Sequence, residues 1–153
     1  MFSYATGCAE MEKHRCADCN NNKIVVAQDE KNSKCEYRLI NNSAKRVCKV
    51  TVDGCYITEG KRCDFLLIDC DSKVAFFIEL KGRHLLEAVE QIYETINRFW
   101  QQMNGVIING RIVLTKVTVP NLRNNPNILR LEKKLKSVNG TLEYKTIKMN
   151  EII

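Results

Sequence analysis

The chain has 153 residues, 44% hydrophobic and 27% charged, a balance that suits one folded domain over 1–153 with its own core and excludes a disordered or low-complexity polymer. Twenty-four Lys and Arg against eighteen Asp and Glu leave a formal charge of +6, which favours a polyanionic partner without specifying a fold. The longest apolar runs, 65–68 and 74–78, are too short to cross a bilayer, and residues 1–12 show no basic start leading into an apolar stretch. The expectation is a cytoplasmic protein with no signal peptide, no transmembrane segment and no membrane partner.

Taken in chain order, residues 9–19 read as a short helix, and 23–27 as a brief strand after the Asn20-Asn21-Asn22 turn signal. Segments 36–40 and 46–52 alternate in strand fashion around Asn41-Asn42-Ser43-Ala44, which predicts a hairpin. Beyond Asp53-Gly54, segments 63–70 and 74–81 are rich in Phe, Leu, Ile and Val and meet at Asp71-Ser72, as core strands would. After Gly82 the period changes: Leu85, Ala88, Val89, Ile92, Tyr93, Ile96, Phe99, Trp100 and Met103 recur every three or four positions and predict one long amphipathic helix. Asn104-Gly105 ends it, 106–116 reads as a strand or a hairpin about Asn109-Gly110, and Pro120 breaks the pattern. A helix over 127–137 and a strand over 142–147 complete the set, with no internal repeats.

Eight cysteines are many, yet a chain of this length can bury a core without staples and shows no export signal, so most are expected to be free thiols. Cys16-Ala17-Asp18-Cys19 has the spacing of half a zinc knuckle that Cys8 or Cys35 would complete; a second such pair is missing.

The chemistry-bearing constellation follows from the central hairpin. If Asp71 and Ser72 form its turn, paired positions sum to 143, Asp64 lies opposite Glu79, and Lys81 shares the face of Glu79. A four-residue loop on the same centre keeps that register, whereas an odd loop would send the acids to opposite faces. Two carboxylates opposed across strands repel, and a divalent cation would reconcile them. Phe76, Ile78 and Leu80 form an apolar face, while Glu79 and Lys81 interrupt the other face after Ala75 and Phe77. Carboxylate oxygens suit Mg²⁺ or Mn²⁺, ions that polarise phosphate oxygens and acidify a bound water. Lys81 would orient or help deprotonate that water and offset developing negative charge, so phosphodiester hydrolysis is the expected reaction.

An acid on one strand, Glu79-Leu80-Lys81 closing the next and a long helix behind resembles the PD-(D/E)XK nuclease superfamily over residues 46–116. The resemblance implies an α/β (α+β) fold with a restriction-endonuclease-like αβββαβ core, a central mixed sheet flanked by helices. It implies Asp64 and Glu79 as metal ligands with the Leu80 carbonyl as a third, Lys81 as the catalytic lysine, and Gln91 as the glutamine that some members carry on the following helix. Cys63 stands where the motif has proline. For the acid that many members carry upstream, Glu10, Glu12 and Glu36 compete.

Other residues carry weaker signals. Glu-x-Lys by itself is common on solvated strand faces, and the Asp64 partner and the following helix do the discriminating. Lys61, Arg62 and Arg83 flank the site and would hold a substrate strand. Arg123, Arg130, Lys133, Lys134 and Lys136 read equally as a phosphate-backbone track or as a solvated helix face. His14 and His84 lack visible partners and stay outside the mechanism. The leading expectation is an Mg²⁺- or Mn²⁺-dependent endonuclease acting on nucleic acid, DNA ahead of RNA; a homodimer would supply two sites for a double-strand cut. Its rivals are a non-catalytic nucleic-acid-binding or assembly subunit that keeps the fold, and a zinc-stabilised interaction module.

Overall fold

The computed structural model describes residues 8–29, 34–80, 84–116 and 124–153. It is a mixed α+β structure: α1 (Ala9–Glu12), β1 (Ala17–Asn20), β2 (Ile24–Gln28), β3 (Glu36–Ile40), β4 (Val47–Thr51), β5 (Phe65–Asp69), β6 (Val74–Leu80), α2 (Leu85–Phe99), β7 (Ile107–Leu114), α3 (Pro126–Lys136), β8 (Leu142–Thr146) and β9 (Lys148–Ile152). A six-stranded sheet has the order β1-β4-β5-β6-β7-β8, and a three-stranded sheet the order β2-β3-β9. Both are mixed. The pairs β1–β4, β4–β5 and β5–β6 are antiparallel, β7 is parallel to β6 and β8 is parallel to β7; β3 is antiparallel to β2 and parallel to β9.

Three layers follow from where the apolar side chains go. Helix α2 buries Leu85, Ala88, Val89, Ile92, Ile96 and Phe99 against one face of the large sheet, where Leu66, Ile68, Ala75 and Phe77 meet them. α3 packs on the same side through Ile128, Leu131 and Leu135. On the other face Leu67, Phe76, Ile78 and Leu80 form a second core with Val25, Ala27, Tyr37 and Leu39 of the small sheet. β6 is therefore buried on both faces, which explains its nearly unbroken apolar run.

A buried ionic knot ties the two sheets. The Arg111 guanidinium on β7, 4% exposed, reaches Glu151 on β9 through Nε at 2.8 Å and a terminal nitrogen at 2.9 Å. The Tyr37 hydroxyl on β3 donates to the same carboxylate at 2.6 Å. Burial and that carboxylate push the Tyr37 phenol far up, so it stays protonated and donates.

The structure corrects several expectations. The helix over 9–19 stops at Glu12, because Ala17–Asn20 pairs with β4 as an edge strand. β3 and β4 are strands but not a hairpin: they belong to different sheets. Residues 107–114 form one strand through Asn109-Gly110, and Gly110 lets Leu142, Ile92 and Leu135 close over it, since an added Cβ would lie 3.2 to 3.4 Å from them. A ninth strand follows β8 after Ile147, whose φ of 68° breaks the strand where the chain passes from the large sheet to the small one. The helices cover one face of the large sheet; a second sheet, not a helix, covers the other.

The cysteines are the largest correction. Three disulfides join Cys8 to Cys70, Cys16 to Cys55 and Cys19 to Cys48, leaving Cys35 and Cys63 as buried thiols. Spacing along the chain does not disclose such pairs, whose members stand 62, 39 and 29 residues apart and meet only through the sheet. Among the described residues no helix is long and apolar enough to cross a membrane.

Candidate functional site

The site grows from the β5–β6 hairpin. Its loop, 70–73, has four residues, and every pair from Phe65↔Ile78 to Asp69↔Val74 sums to 143. Asp69 fixes that turn: its Oδ1 accepts from the backbone N–H of Asp71 at 3.1 Å and of Ser72 at 3.0 Å. Lys45 Nζ lies 3.4 Å from its other oxygen. The paired ladder ends at Phe65↔Ile78, and Asp64 stands in a bend just before β5, its side chain brought beside Glu79.

Asp64 is held on both its backbone and its side chain. Its N–H donates to Ile78 O at 3.1 Å, its carbonyl accepts from Val52 at 3.0 Å and Asp53 at 3.3 Å, and its Oδ2 accepts from Leu80 N–H at 2.8 Å. The side chains of Asp64 and Glu79 are within hydrogen-bonding contact, and Glu79 is 2% exposed. Burial pushes the Asp64 carboxyl up to about 6, and the charges of Asp29 and Asp53 add to this. The Leu80 N–H and the Glu79 hydrogen bond pull the other way, less strongly.

A cleft of about 530 Å³ opens beside Asp64, lined by Gln28, Asp29, Lys49, Thr51, Asp53, Gly54 and Phe65. Its wall joins the ends of β2, β4 and β5, so the acids reach it from both sheets. Lys49 crosses between the sheets, donating from Nζ to Val26 O at 2.8 Å with its ammonium 5.3 Å from the Phe65 ring centre.

Asp29 and Asp53 are the carboxylates that sequence reasoning missed. In the sequence Asp53 stands only at the Asp53-Gly54 boundary between strand segments, and nothing in local spacing links Asp29 at the end of β2 to Asp64. The expected upstream acids are engaged elsewhere: Glu12 pairs with Arg46 at 2.7 Å, and Glu36 pairs with Arg38 and with Lys148. Glu10 lies on α1.

Helix α2 is tied to the site through Thr95. Its buried Oγ1 accepts from Cys63 N–H at 2.7 Å and donates to Gln91 O at 2.7 Å, joining the residue before Asp64 to the helical turn that carries Gln91. Gln91 is half-buried, and its Oε1 is buried with no hydrogen-bond partner among the described residues. Burial and the charge of Glu79 push the Cys63 thiol well up, so it stays neutral and donates to Phe65 O at 3.5 Å.

Of the expected strand-holding cations, Lys61 is paired with Glu90, and Arg62 with Asp53 at 2.7 Å. Arg130 and Lys134 of α3 lie over aromatic rings, Arg130 at 4.0 Å from Tyr93 of α2 and Lys134 at 4.1 Å from Trp100 just beyond it, which gives them a packing role. His14 accepts from Cys16 N–H at 3.1 Å, and the His84 carbonyl accepts from Ala88 in the first turn of α2. Lys81, Arg83, Pro120 and Arg123 lie outside the described residues.

Comparison with protein-family models, with curated proteins and with solved structures gives no match.

Proposed function

We propose that the chain is a metal-dependent nuclease that hydrolyses phosphodiester bonds of nucleic acid, DNA ahead of RNA, with Asp64, Glu79 and Lys81 at its centre. The observation that carries the reading is the contact of the Asp64 and Glu79 carboxyl groups at the end of the β5–β6 ladder, beside a cleft that adds Asp29 and Asp53. Carboxyl groups gathered in a half-buried site repel when ionised, and an all-oxygen donor set of this kind fits a hard divalent cation. Asp64 and Glu79 would hold Mg²⁺ or Mn²⁺, with the Leu80 carbonyl as a third ligand. Bound there, such an ion would polarise the scissile phosphate and lower the pKa of a water.

The chain's own groups have distinct tasks. Leu80 N–H holds one oxygen of Asp64 at 2.8 Å, and the other would serve the cation. Lys81, the next residue but one after Glu79, would orient the attacking water and offset charge on the phosphate. Gln91 Oε1 is an acceptor that a water or a substrate group would satisfy. Arg62 and Lys61 could exchange their carboxylate partners for backbone phosphates.

Strand order supports the finer fold reading. β4, β5 and β6 are consecutive and antiparallel, α2 follows, and β7 returns parallel to β6, an order consistent with the βββαβ part of a restriction-endonuclease-like core. The test is a panel of plasmid, single-stranded DNA and structured RNA incubated with Mg²⁺, Mn²⁺ or chelator. Metal-dependent cleavage that Asp64→Asn abolishes is the expected result. Absence of cutting on every substrate would favour a non-catalytic nucleic-acid-binding subunit with the same fold.

A further inference from the structure

Two of the three disulfides lie side by side. Cys48 Sγ is 3.7 Å from Cys70 Sγ, although each is bonded elsewhere, to Cys19 and to Cys8. The sulfurs of Cys8, Cys48 and Cys70 all lie within 4.8 Å of one another, and Cys19 joins them as the bonded, register-paired neighbour of Cys48. Three sulfurs thus converge, from Cys8 just before α1, β4 and the β5–β6 loop, and a fourth, on β1, is bonded to one of them. Cys16 and Cys55 form a separate pair.

From this geometry we infer that Cys8, Cys19, Cys48 and Cys70 are a redox-gated site for a thiophilic divalent metal, Zn²⁺, distinct from the carboxylate centre. A tetrahedral tetrathiolate site has metal–sulfur distances of about 2.3 Å, which sets its sulfurs roughly 3.8 Å apart, the spacing that Cys48 and Cys70 already have. Opening the Cys8–Cys70 and Cys19–Cys48 disulfides is what frees all four ligands. Cys48 and Cys8 are buried, so the site is shielded from water, as structural zinc sites are.

The chemistry balances with a dithiol reductant. Each disulfide accepts two electrons and two protons as the reductant closes into its own disulfide, giving four thiols from the two bonds. Zn²⁺ then binds four thiolates with release of four protons. Two equivalents of a disulfide oxidant reverse the sequence: each takes two electrons and two protons to become a dithiol, the two bonds of the chain re-form, and Zn²⁺ is released. In either state the cluster fastens the segment before α1 to the large sheet, by disulfides when oxidised and through the metal when reduced.

The experiment uses the full chain reduced with a dithiol, freed of reductant under nitrogen and titrated with Co²⁺ and then Zn²⁺. Expected are one tightly held metal per chain, the thiolate-to-cobalt charge-transfer absorption of a tetrahedral site, and its loss when Zn²⁺ displaces Co²⁺. Alkylation mapped by mass spectrometry on the zinc-loaded parent should be at least tenfold slower at Cys8, Cys19, Cys48 and Cys70 than on the same protein treated with chelator. Cys16→Ser/Cys55→Ser should keep the cobalt spectrum, and Cys48→Ser/Cys70→Ser should lose it. Reduced parent that retains no metal, or metal-dependent protection that falls on other cysteines, overturns the inference. The parent spectrum and the protection map decide it even where a variant fails to fold.

Discussion

Leu80 N–H donates to Asp64 Oδ2 at 2.8 Å, so the strand that carries Glu79 also fixes the acid facing it. The bond partly offsets the cost of an ionised Asp64, but burial and the nearby Asp29 and Asp53 win, holding its carboxyl at about 6. A carboxyl raised from 3.8 to about 6 on folding binds its proton more tightly in the folded state. Its destabilising effect is therefore absent below about 4, grows as pH rises between those values, and is complete above about 6. Asp64→Asn should stabilise the metal-free protein at neutral pH by about 1–2 kcal/mol, discounted for the partial exposure of the site. Thermal unfolding in chelator from pH 4 to 7 should show a shallower decline for the variant. Parallel curves for the two proteins would remove this account of Asp64.

Thr95 should matter more than its size suggests. Thr95→Val removes the acceptor of Cys63 N–H in a buried setting and should cost about 1–3 kcal/mol in chemical denaturation, while Thr95→Ser keeps the hydroxyl and recovers most of it. Under the nuclease reading, cleavage should fall with Val and return with Ser, because the bond seats the residue before Asp64. A valine variant as stable as the parent would show that the contact carries little.

The Arg111–Glu151 pair gives a prediction remote from the site. Glu151→Ala leaves a buried guanidinium without its bidentate partner and should cost about 3–5 kcal/mol. Tyr37→Phe removes one hydrogen bond to the same carboxylate and should cost about 1 kcal/mol. Urea denaturation measures both, and equal small losses would mean that the knot does not join the sheets energetically.

The disulfides can be counted directly. Thiol labelling of oxidised protein unfolded without reductant should modify only Cys35 and Cys63, against eight cysteines after reduction. Removing the Cys16–Cys55 bond, which closes a separation of 39 residues, should lower stability by about 3–4 kcal/mol on the chain-entropy view. Eight reactive thiols in protein never exposed to reductant would contradict the pairing.

What the sequence disclosed was what local pattern encodes. Alternation on either side of Asp71-Ser72 is enough to set the β5–β6 register of 143, and the spacing from Leu85 to Met103 is enough to mark a long helix, although α2 ends at Phe99 and tightens into a 3₁₀ turn at Trp100–Gln102. The misses are long-range. Alternation in 36–40 and 46–52 marks strands but does not say which sheet each joins, and β3 finds its parallel partner more than a hundred residues away in β9. The β8–β9 break was invisible because Ile147, a β-branched residue, occupies the left-handed region where turn signals lead one to expect Gly or Asn. Asp29 and Asp53 escaped for the same reason as the disulfides: only the packing of one sheet on the other brings them to Asp64.

The most direct test of the central claim is the single-turnover rate of Mg²⁺-dependent cleavage by the parent and by Glu79→Gln and Lys81→Ala, on whichever nucleic acid the parent cuts. The account predicts cleavage that chelator stops and excess Mg²⁺ restores, with each variant slower by at least about a hundredfold. It also predicts that Glu79→Gln, being isosteric, keeps the parent's fold by circular dichroism. Variants that cut as fast as the parent would contradict it, as would cleavage that persists in chelator.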